Sequence, residues 1–555
     1  MKIKKYLSIA IGLLEALENK KHYHTANSVY DTIIALEETL KTKGLTYIED
    51  NSDESPKGTL NLTIINEKAE GIISQVKFFP MKDTDTLQNF TKTDGKINFI
   101  RAYTNPSGNL SITLPVIDGV SSKYFVEISK GSEYEILSIE VVIEAYTEIS
   151  ITQTLSRIIN LQTLGWYAGD LHHHSIYSSP VHGGTDDVIE TPQEVAHSMQ
   201  AAGLTYGALS DHHNILNHNE WQKTLSKDFT PIISKEISTS NGHVMALNVP
   251  IDIIYDIPHE EYRTEDFLRN EFIRITKQIK ASNGLAQINH PRDLSSAISF
   301  PTEFIDIIQI FDTMEIWNGS NPFFNGTTNH KAYLLWLELL EEGRYIPATS
   351  GSDTHNTFAN DYNKILDKIT WLIQTAKPFL SILPSELQSE VIYLMCLYDK
   401  TFPLLEKWAE DTLGSGCVKT YIHLKDELSP THILQSLSSG NSFLTNGPIL
   451  IPTIGDKIPG ETFYASTNKV DIDLILISNK PLNTLYIYGN GNKCTTISLE
   501  NTHLKDGNSF NYSKKIKNFD VENMQWLFFV AASDFTNLAI SNPIFITKEV
   551  SNSKC

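Results

Sequence analysis

Residues 169–175 read GDLHHHS. A strand sends alternate side chains to opposite faces, so His172 and His174 point one way and His173 the other. Two imidazoles on one face at a strand end make a two-pronged grip for a metal ion. What else converges on that grip decides the fold around it.

Of the 18 histidines in the chain, 13 lie between residues 172 and 355, where an even spread would place about six. In that window strand-like segments (WYAGDLHHHS, YGALSDHH, PIISKEIS, HVMALNV, LAQINHP, IIQIFDTMEIWN and YIPATSGSD) alternate with helix-like ones, the pattern of a β/α layer or barrel. In TPQEVAHSMQAAG, Thr191 suits an N-cap, Pro192 the first helical position and Glu194 a capping box. His172, His174, Asp211, His212, Glu236, His243, His290, Asp353 and His355 fall at or just past strand C-termini, where barrel folds gather their chemistry. Imidazoles with carboxylates and no thiolate suit a catalytic zinc, manganese or iron site. The donors exceed what one tetrahedral ion can use, so two or three divalent ions are expected, bridged by a carboxylate. A single strand-end histidine is more often a packed or surface residue; the joint pattern on separate strands favours ligation. For His173 and His213, packing or solvent contact is the expectation.

Outward from this region, residues 1–57 read as a helical hairpin and linker, with apolar steps Leu7, Ile11, Leu14 and then Val29, Ile33, Leu36, Leu40. Residues 58–160 read as a β-sandwich of short alternating runs, 161–446 as the barrel, and 447–555 as a second β-sandwich. The block 357–415 is an amphipathic helical insertion beginning right after Asp353 and His355. It would serve as a lid on the barrel mouth, or as a dimer contact or packing brace.

The 555 residues are 41% hydrophobic and 20% charged, with a formal net charge of −21. This is an ordinary globular composition, and its excess of carboxylates, without a basic stripe, disfavours nucleic acid. No stretch approaches the roughly 18 apolar residues of a membrane span. Four scattered cysteines (Cys396, Cys417, Cys494, Cys555) form no CxxC pair, which points away from a disulfide framework and towards a reducing, cytoplasmic setting. The opening MKIKKYLSIAIGLL has the basic start and apolar run of a secretory signal but no A-x-A-like cleavage site, so an amphipathic helix is expected there and secretion stays open.

The segments GDLHHHS, TPQEVAHSMQAAGL, ALSDHHN, SKEIST, GHVMAL, INHP, EIWNG and GSDTH, in this order over residues 165–356, resemble the PHP (polymerase and histidinol phosphatase) superfamily of metal-dependent phosphoesterases. GWYAGDLH and the trailing ILQSLSSGNSFLTNGPILIPTIGDKIPG resemble its CehA/McbA branch. The resemblance implies an α/β fold: a distorted (β/α)7 barrel, flanked here by the two β-sandwiches and the hairpin. It implies that His172, His174, Glu236 and Asp353 hold one ion, that Glu236 bridges to a second held by His243 and His290, and that His212 and His355 hold a third. The third ion's remaining ligand would come from SSPVHGGTDD, as His182 or, in its place, Asp186 or Asp187.

Such a centre would hydrolyse a small-molecule ester through a hydroxide held between ions. Glu236, Asp211 and Arg292 are the candidate catalytic groups, Arg292 as a clamp on an anionic substrate or else in a salt bridge with Asp293 or another rim acid. A phosphoester is the first expectation. A carboxyl or carbamate ester is the alternative, towards which the branch resemblance pulls, and a non-catalytic binding protein on the same scaffold is a third reading. The flanking sandwiches could mediate homodimerisation.

Overall fold

The structure, a computed structural model, describes residues 26–45 and 56–548, together with Ala10, Ile11 and Leu14. Exceptions are 83, 89–98, 117–118, 185, 187, 240, 256–263, 294–297, 320–321, 323–326, 356–360, 413, 491–494, 501, 503, 507–508 and 534–536. Leu7 and most of the first expected helix, Asp187, Cys494 and Cys555 lie outside the described residues.

The N-terminal strands form two facing sheets. Strands β1 (Lys57–Ile65), β2 (Gln75–Met81), β3 (Ile100–Tyr103), β4 (Asn109–Pro115), β5 (Ser121–Ser129), β6 (Leu137–Glu144) and β7 (Glu148–Thr154) sort into sheets of order β4-β1-β7 and β3-β2-β5-β6. β1 alternates half-buried and buried along its length, placing Leu60, Leu62 and Ile64 in a core with Val76, Phe78, Tyr124 and Val126.

Seven strands then hydrogen-bond in chain order: β8 (Trp166–Asp170), β9 (Tyr206–Leu209), β10 (Thr230–Ser238), β11 (His243–Leu247), β12 (Leu285–Asn289), β13 (Thr313–Asn318) and β14 (Ala348–Gly351). A parallel bridge between His173 and Thr354 joins the two ends of this path. β8, β9 and β10 are mutually parallel, as are β12, β13 and β14, whereas β11 runs antiparallel to both of its neighbours. Strict β/α alternation therefore fails at β11. Only residues 239–242 separate it from β10, too few for the dozen or more that a parallel crossover needs.

Helix α1 (Ala26–Thr42) belongs to the N-terminal segment, and α2 (Pro192–Ala201) follows β8. The α2 N-terminus is closed by the capping box: Glu194 N–H donates to Thr191 Oγ1 (3.3 Å) and Thr191 N–H to Glu194 Oε2 (2.8 Å). Helices α3 (Glu265–Ala281) and α4 (Thr328–Glu341) lie against the β12–β13 side, filling a core around Phe272, Ile275, Trp336 and Leu339.

After the insertion, β15 (Lys419–His423) returns antiparallel to β8, and β16 (Ser442–Thr445) pairs in turn with β15 and with strand Asn537–Ser541. The hydrogen-bonded sheet thus continues from Ser442–Thr445 into the C-terminal strands, which share one hydrophobic cluster with Leu161, Trp166, Val195 and Phe229. A second layer, built on Ile449–Ile454 and Lys469–Ser478, covers it.

The insertion forms helices α5 (Asp361–Ala376) and α6 (Ser385–Thr412). Its stripe, Ile369, Leu372, Ile373, Val391, Leu394 and Leu397, is buried with Val29, Ile33, Leu36 and Leu40 of α1 and with Phe79, Phe99 and Phe125 of the N-terminal sheets. Among the described residues, none of β8–β14 contributes to this cluster. The packing is that of a brace against the N-terminal segment. No helix among the described residues is long and apolar enough to cross a membrane.

Candidate metal centre

The C-terminal ends of β8, β9, β10, β12 and β14, with the N-terminal end of the antiparallel β11, converge on Glu236, which is 1% exposed. Imidazole nitrogens of five histidines surround its carboxylate: His172 at 3.2 Å, His243 and His290 at 3.1 Å, His212 at 3.4 Å and His174 at 3.5 Å. Asn289 Nδ2 donates to Oε1 at 2.8 Å. Asp353 Oδ1 lies 3.3 Å from His172 Nε2 and 3.1 Å from His174 Nε2. Beyond them, Asp186 Oδ2 is 3.2 Å from His212 Nε2 and 3.4 Å from His355 Nε2.

The donor set fits divalent ions. Ligands about 2.1 Å from a tetrahedral ion stand about 3.4 Å from one another, and the nitrogen–oxygen separations here run from 3.1 to 3.5 Å. Four groupings with ligand atoms within 4.8 Å of one another emerge: His172 with His174 and Asp353; His212 with Glu236 and His243; His174 with Asp186, His212 and His355; and His172 with His290 and Glu315. Neither oxygen of the buried Asp186 has an aligned hydrogen-bond partner, as expected of a carboxylate and imidazoles aimed at a common point rather than at each other.

Ligation needs neutral imidazole and ionised carboxylate, and the imidazoles divide: burial opposes protonation of His172 and His290, but the surrounding carboxylates, Glu236 first, outweigh it and raise both, whereas His174 and His212 are held neutral. Burial, reinforced by the neighbouring His355, pushes His174 down to about 3. Burial likewise brings His212 down to about 4, against the pull of Glu236 and Asp186. For Glu236, burial opposes ionisation, but the charges of His172, His243 and His212 outweigh it and hold the carboxyl well below its ordinary range.

Local backbone geometry aims the donors. His290 (φ 26°) and Asp353 (φ 52°) adopt left-handed conformations rare outside glycine, strain of the kind that clusters at functional sites. Gly351 is required by crowding: a Cβ there would sit 2.3 Å from His172 Cβ and 2.7 Å from Glu315 Oε1. Asp170 binds three segments, accepting from the N–H groups of His172 and Ser352 through Oδ1 and of Gly416 through Oδ2.

Three of the expected site residues stand apart from the donor groupings. His182 lies outside the groupings; its ring packs on Tyr177 at 4.7 Å between centroids, and Asp186 occupies the place expected of it. Asp211 turns away from the donors: it accepts from Ser175 N–H (2.6 Å), Ser175 Oγ (2.7 Å), Ser178 Oγ (2.7 Å) and Asn217 Nδ2, bonds that tie down the loop after His174. Arg292 donates from its guanidinium to the carbonyls of Pro291 and Phe300 and forms no ion pair with an acid among the described residues. His173 points to the far side, where Nε2 meets Ser415 Oγ at 2.8 Å, and His213 is exposed.

Sequence reading missed Glu315. Fully buried, it lies 3.1 Å from His172 Nδ1 and accepts from the N–H of His290 (3.0 Å) and from Asn318 Nδ2 (3.1 Å). A carboxylate behind a ligating histidine fixes its tautomer and orientation. Glu315→Gln is expected to weaken metal affinity about 10- to 100-fold, read by competition with a chromogenic chelator; unchanged affinity would reduce Glu315 to a packing residue. Asp186→Asn is expected to remove one metal equivalent and His182→Ala none, which elemental analysis of the two purified variants checks.

No family model matches the chain and no curated protein does. Among solved structures, a two-domain protein from Bacteroides vulgatus containing a predicted PHP-like metal-dependent phosphoesterase is 11% identical, with 68% of this chain and 86% of that chain covered at a TM-score of 0.32. A candidate metal-dependent phosphoesterase from Bifidobacterium adolescentis is 14% identical, covering 36% of this chain and 96% of that chain at 0.24. An amidohydrolase from Chromobacterium violaceum, with bound sulfate and no metal, is 17% identical, covering 34% and 87% at 0.24.

Proposed function

We propose that this chain is a metal-dependent hydrolase of the PHP kind that cleaves a small-molecule phosphoester. The seven-strand circuit at 161–446 is then a distorted (β/α)7 barrel, and the flanking segments 58–160 and 447–555 are accessory units. The observation that carries the reading is Glu236 on β10, a single buried carboxylate ringed by five imidazoles from β11 and the loops after β8, β9 and β12.

Divalent ions in this site would supply an activated water at neutral pH and charge stabilisation on the ester oxygens. His172, His174 and Asp353 would hold one ion and His243 and His290 another, with Glu236 shared between them. His212, His355 and Asp186 would hold a third. The residues behind them keep the donors in place: Glu315 orients His172, Asn289 fixes the Glu236 carboxylate, and Ser178 Oγ lies 3.0 Å from His174 Nδ1. Such support limits the reorganisation needed during reaction. The complete donor set also weighs against a non-catalytic scaffold.

A carboxyl or carbamate ester is the second reading, and one observation favours it. With Arg292 held by main-chain carbonyls, no Lys or Arg among the described residues forms an ion pair with the ringed carboxylates. A neutral ester makes no demand for such a cation. A panel of phosphomonoesters, phosphodiesters, carboxylic esters and aryl carbamates, assayed after loading with manganese or zinc, decides between them. The proposal expects turnover of a phosphoester that is abolished by chelation and restored by metal. Turnover of carbamates or carboxylic esters alone supports the second reading, and no turnover by fully loaded protein would overturn hydrolase activity on these classes.

A further inference from the structure

Strand β15 opens on Lys419, a lysine only 6% exposed. An ammonium group carries three donors, yet among the described residues Lys419 Nζ meets one acceptor, the Gly416 carbonyl at 2.5 Å. Asp170 is the acid whose charge reaches it, but both Asp170 oxygens already accept main-chain N–H groups. Burial brings the amine down to about 8, against the pull of Cys417 and Asp170, so part of it is uncharged near neutral pH, the form in which a lysine is nucleophilic. Burial pushes the neighbouring Cys417 thiol up to about 12, which leaves the amine as the reactive group.

Lys419 lines a cavity of about 140 Å³ where the N-terminal sheets, the chain leading into β15 and the C-terminal strands meet. Two side chains in the same wall have a polar atom without a partner: Asn537, 5% exposed, through its Nδ2 donor, and Asn479 through its buried Oδ1 acceptor. Asn479 Nδ2 donates to the Tyr134 carbonyl at 2.8 Å, which fixes the amide's orientation. Buried polar atoms left unmet are costly, and a ligand in the cavity would supply both partners.

A nucleophilic amine, an unmet donor and an unmet acceptor around one small space suit a carbonyl compound that carries hydroxyl groups. The space is right for one: a cavity of about 150 Å³ holds benzene, a molecule about the size of glyceraldehyde. We infer that Lys419 is a covalent capture site for a small hydroxy-aldehyde of the glyceraldehyde class, held as an imine with its hydroxyls bonded to Asn537 and Asn479. Nζ adds to the aldehyde carbon and passes one proton to the carbonyl oxygen. The resulting hydroxyl leaves as water with the second Nζ proton as the C=N bond forms. On taking up a solvent proton the imine carries a single N–H, which the single Gly416 carbonyl satisfies. The pocket is separate from the metal centre, although its wall includes Ser415 and Gly416, whose other bonds reach His173 and Asp170.

The test is incubation of the full chain with glyceraldehyde and cyanoborohydride, which reduces an imine to a stable secondary amine, followed by mass spectrometry of the labelled peptides. Lys419 is expected to be labelled about tenfold or more faster than the fully solvated Lys227, whose side chain is 90% exposed, and at a rate that saturates with glyceraldehyde. Formaldehyde, which has no hydroxyl to bind, should label Lys419 without saturation. Asn537→Ala should raise the half-saturating glyceraldehyde concentration by about fivefold or more, the scale of one lost hydrogen bond, and leave formaldehyde labelling unchanged. Circular dichroism confirms folding, and saturation in the wild type keeps the test decisive if the variant fails to fold. Labelling of Lys419 no faster than that of Lys227, a rate that stays linear in glyceraldehyde, or unchanged half-saturation in Asn537→Ala would each overturn the inference.

Discussion

Glu236→Gln is expected to fold and to lose hydrolysis by about 10³-fold or more on every substrate the wild type turns over. The amide keeps the shape of the side chain but removes the charge that ionised Glu236 presents to five imidazole nitrogens within 3.5 Å. Two cations brought together without a shared anion repel each other strongly in a buried site, so metal content should fall along with rate. Steady-state kinetics and elemental analysis on the same preparation check both. A variant that keeps two equivalents of metal and wild-type turnover would remove Glu236 from the centre.

The double variant His172→Ala/His174→Ala is the second large effect. Each ring takes part in two of the four donor groupings, so their joint loss should strip most of the metal and abolish the rise in Tm that manganese or zinc gives the wild type. His173→Ala is the control. Its buried ring bonds Ser415 Oγ and its own chain, on the side away from the donors, so its removal should cost about 1–3 kcal/mol of stability and leave metal stoichiometry intact. Equal metal loss from the His173 variant and the double variant would mean that the alternation along 172–174 had been misread.

That alternation is why much of the site was legible. Period two separates His172 and His174 from His173 without any knowledge of the fold; the same alternation in SDHH separates Asp211 from His212, although Asp211 was expected among the catalytic groups. Strand-end position explains the convergence of Glu236, His243, His290 and Asp353. Periodicity fails between Ser175 and Val188, where the chain makes two short 3-10 turns, Ile176–Ser178 and Pro180–His182. Nothing in SSPVHGGTDD tells which side chain turns inward, and the order His182 before Asp186 was no guide. Glu315 was hidden in the apolar run TMEIWN, although Thr313, two residues earlier, also bonds inward, to Gln287.

Long-range pairing accounts for the remainder of the fold. The antiparallel β11 could have been read from the four-residue link before it. The pairing of Ser442–Thr445 with Asn537–Ser541, about 95 residues apart, leaves no local signal, and it carries the sheet across the boundary expected after residue 446. The stripe of the insertion was plain from its spacing, but its partner was not. Amphipathicity says that a face must be covered and does not say by what.

The claim at the centre of the account is that these histidines and carboxylates hold metal. Elemental analysis of the purified chain, reconstituted with manganese or zinc and desalted, tests it most directly. The donor groupings around Glu236 predict at least about two equivalents per chain, whereas less than about half an equivalent would contradict the metal centre and, with it, the proposed hydrolysis.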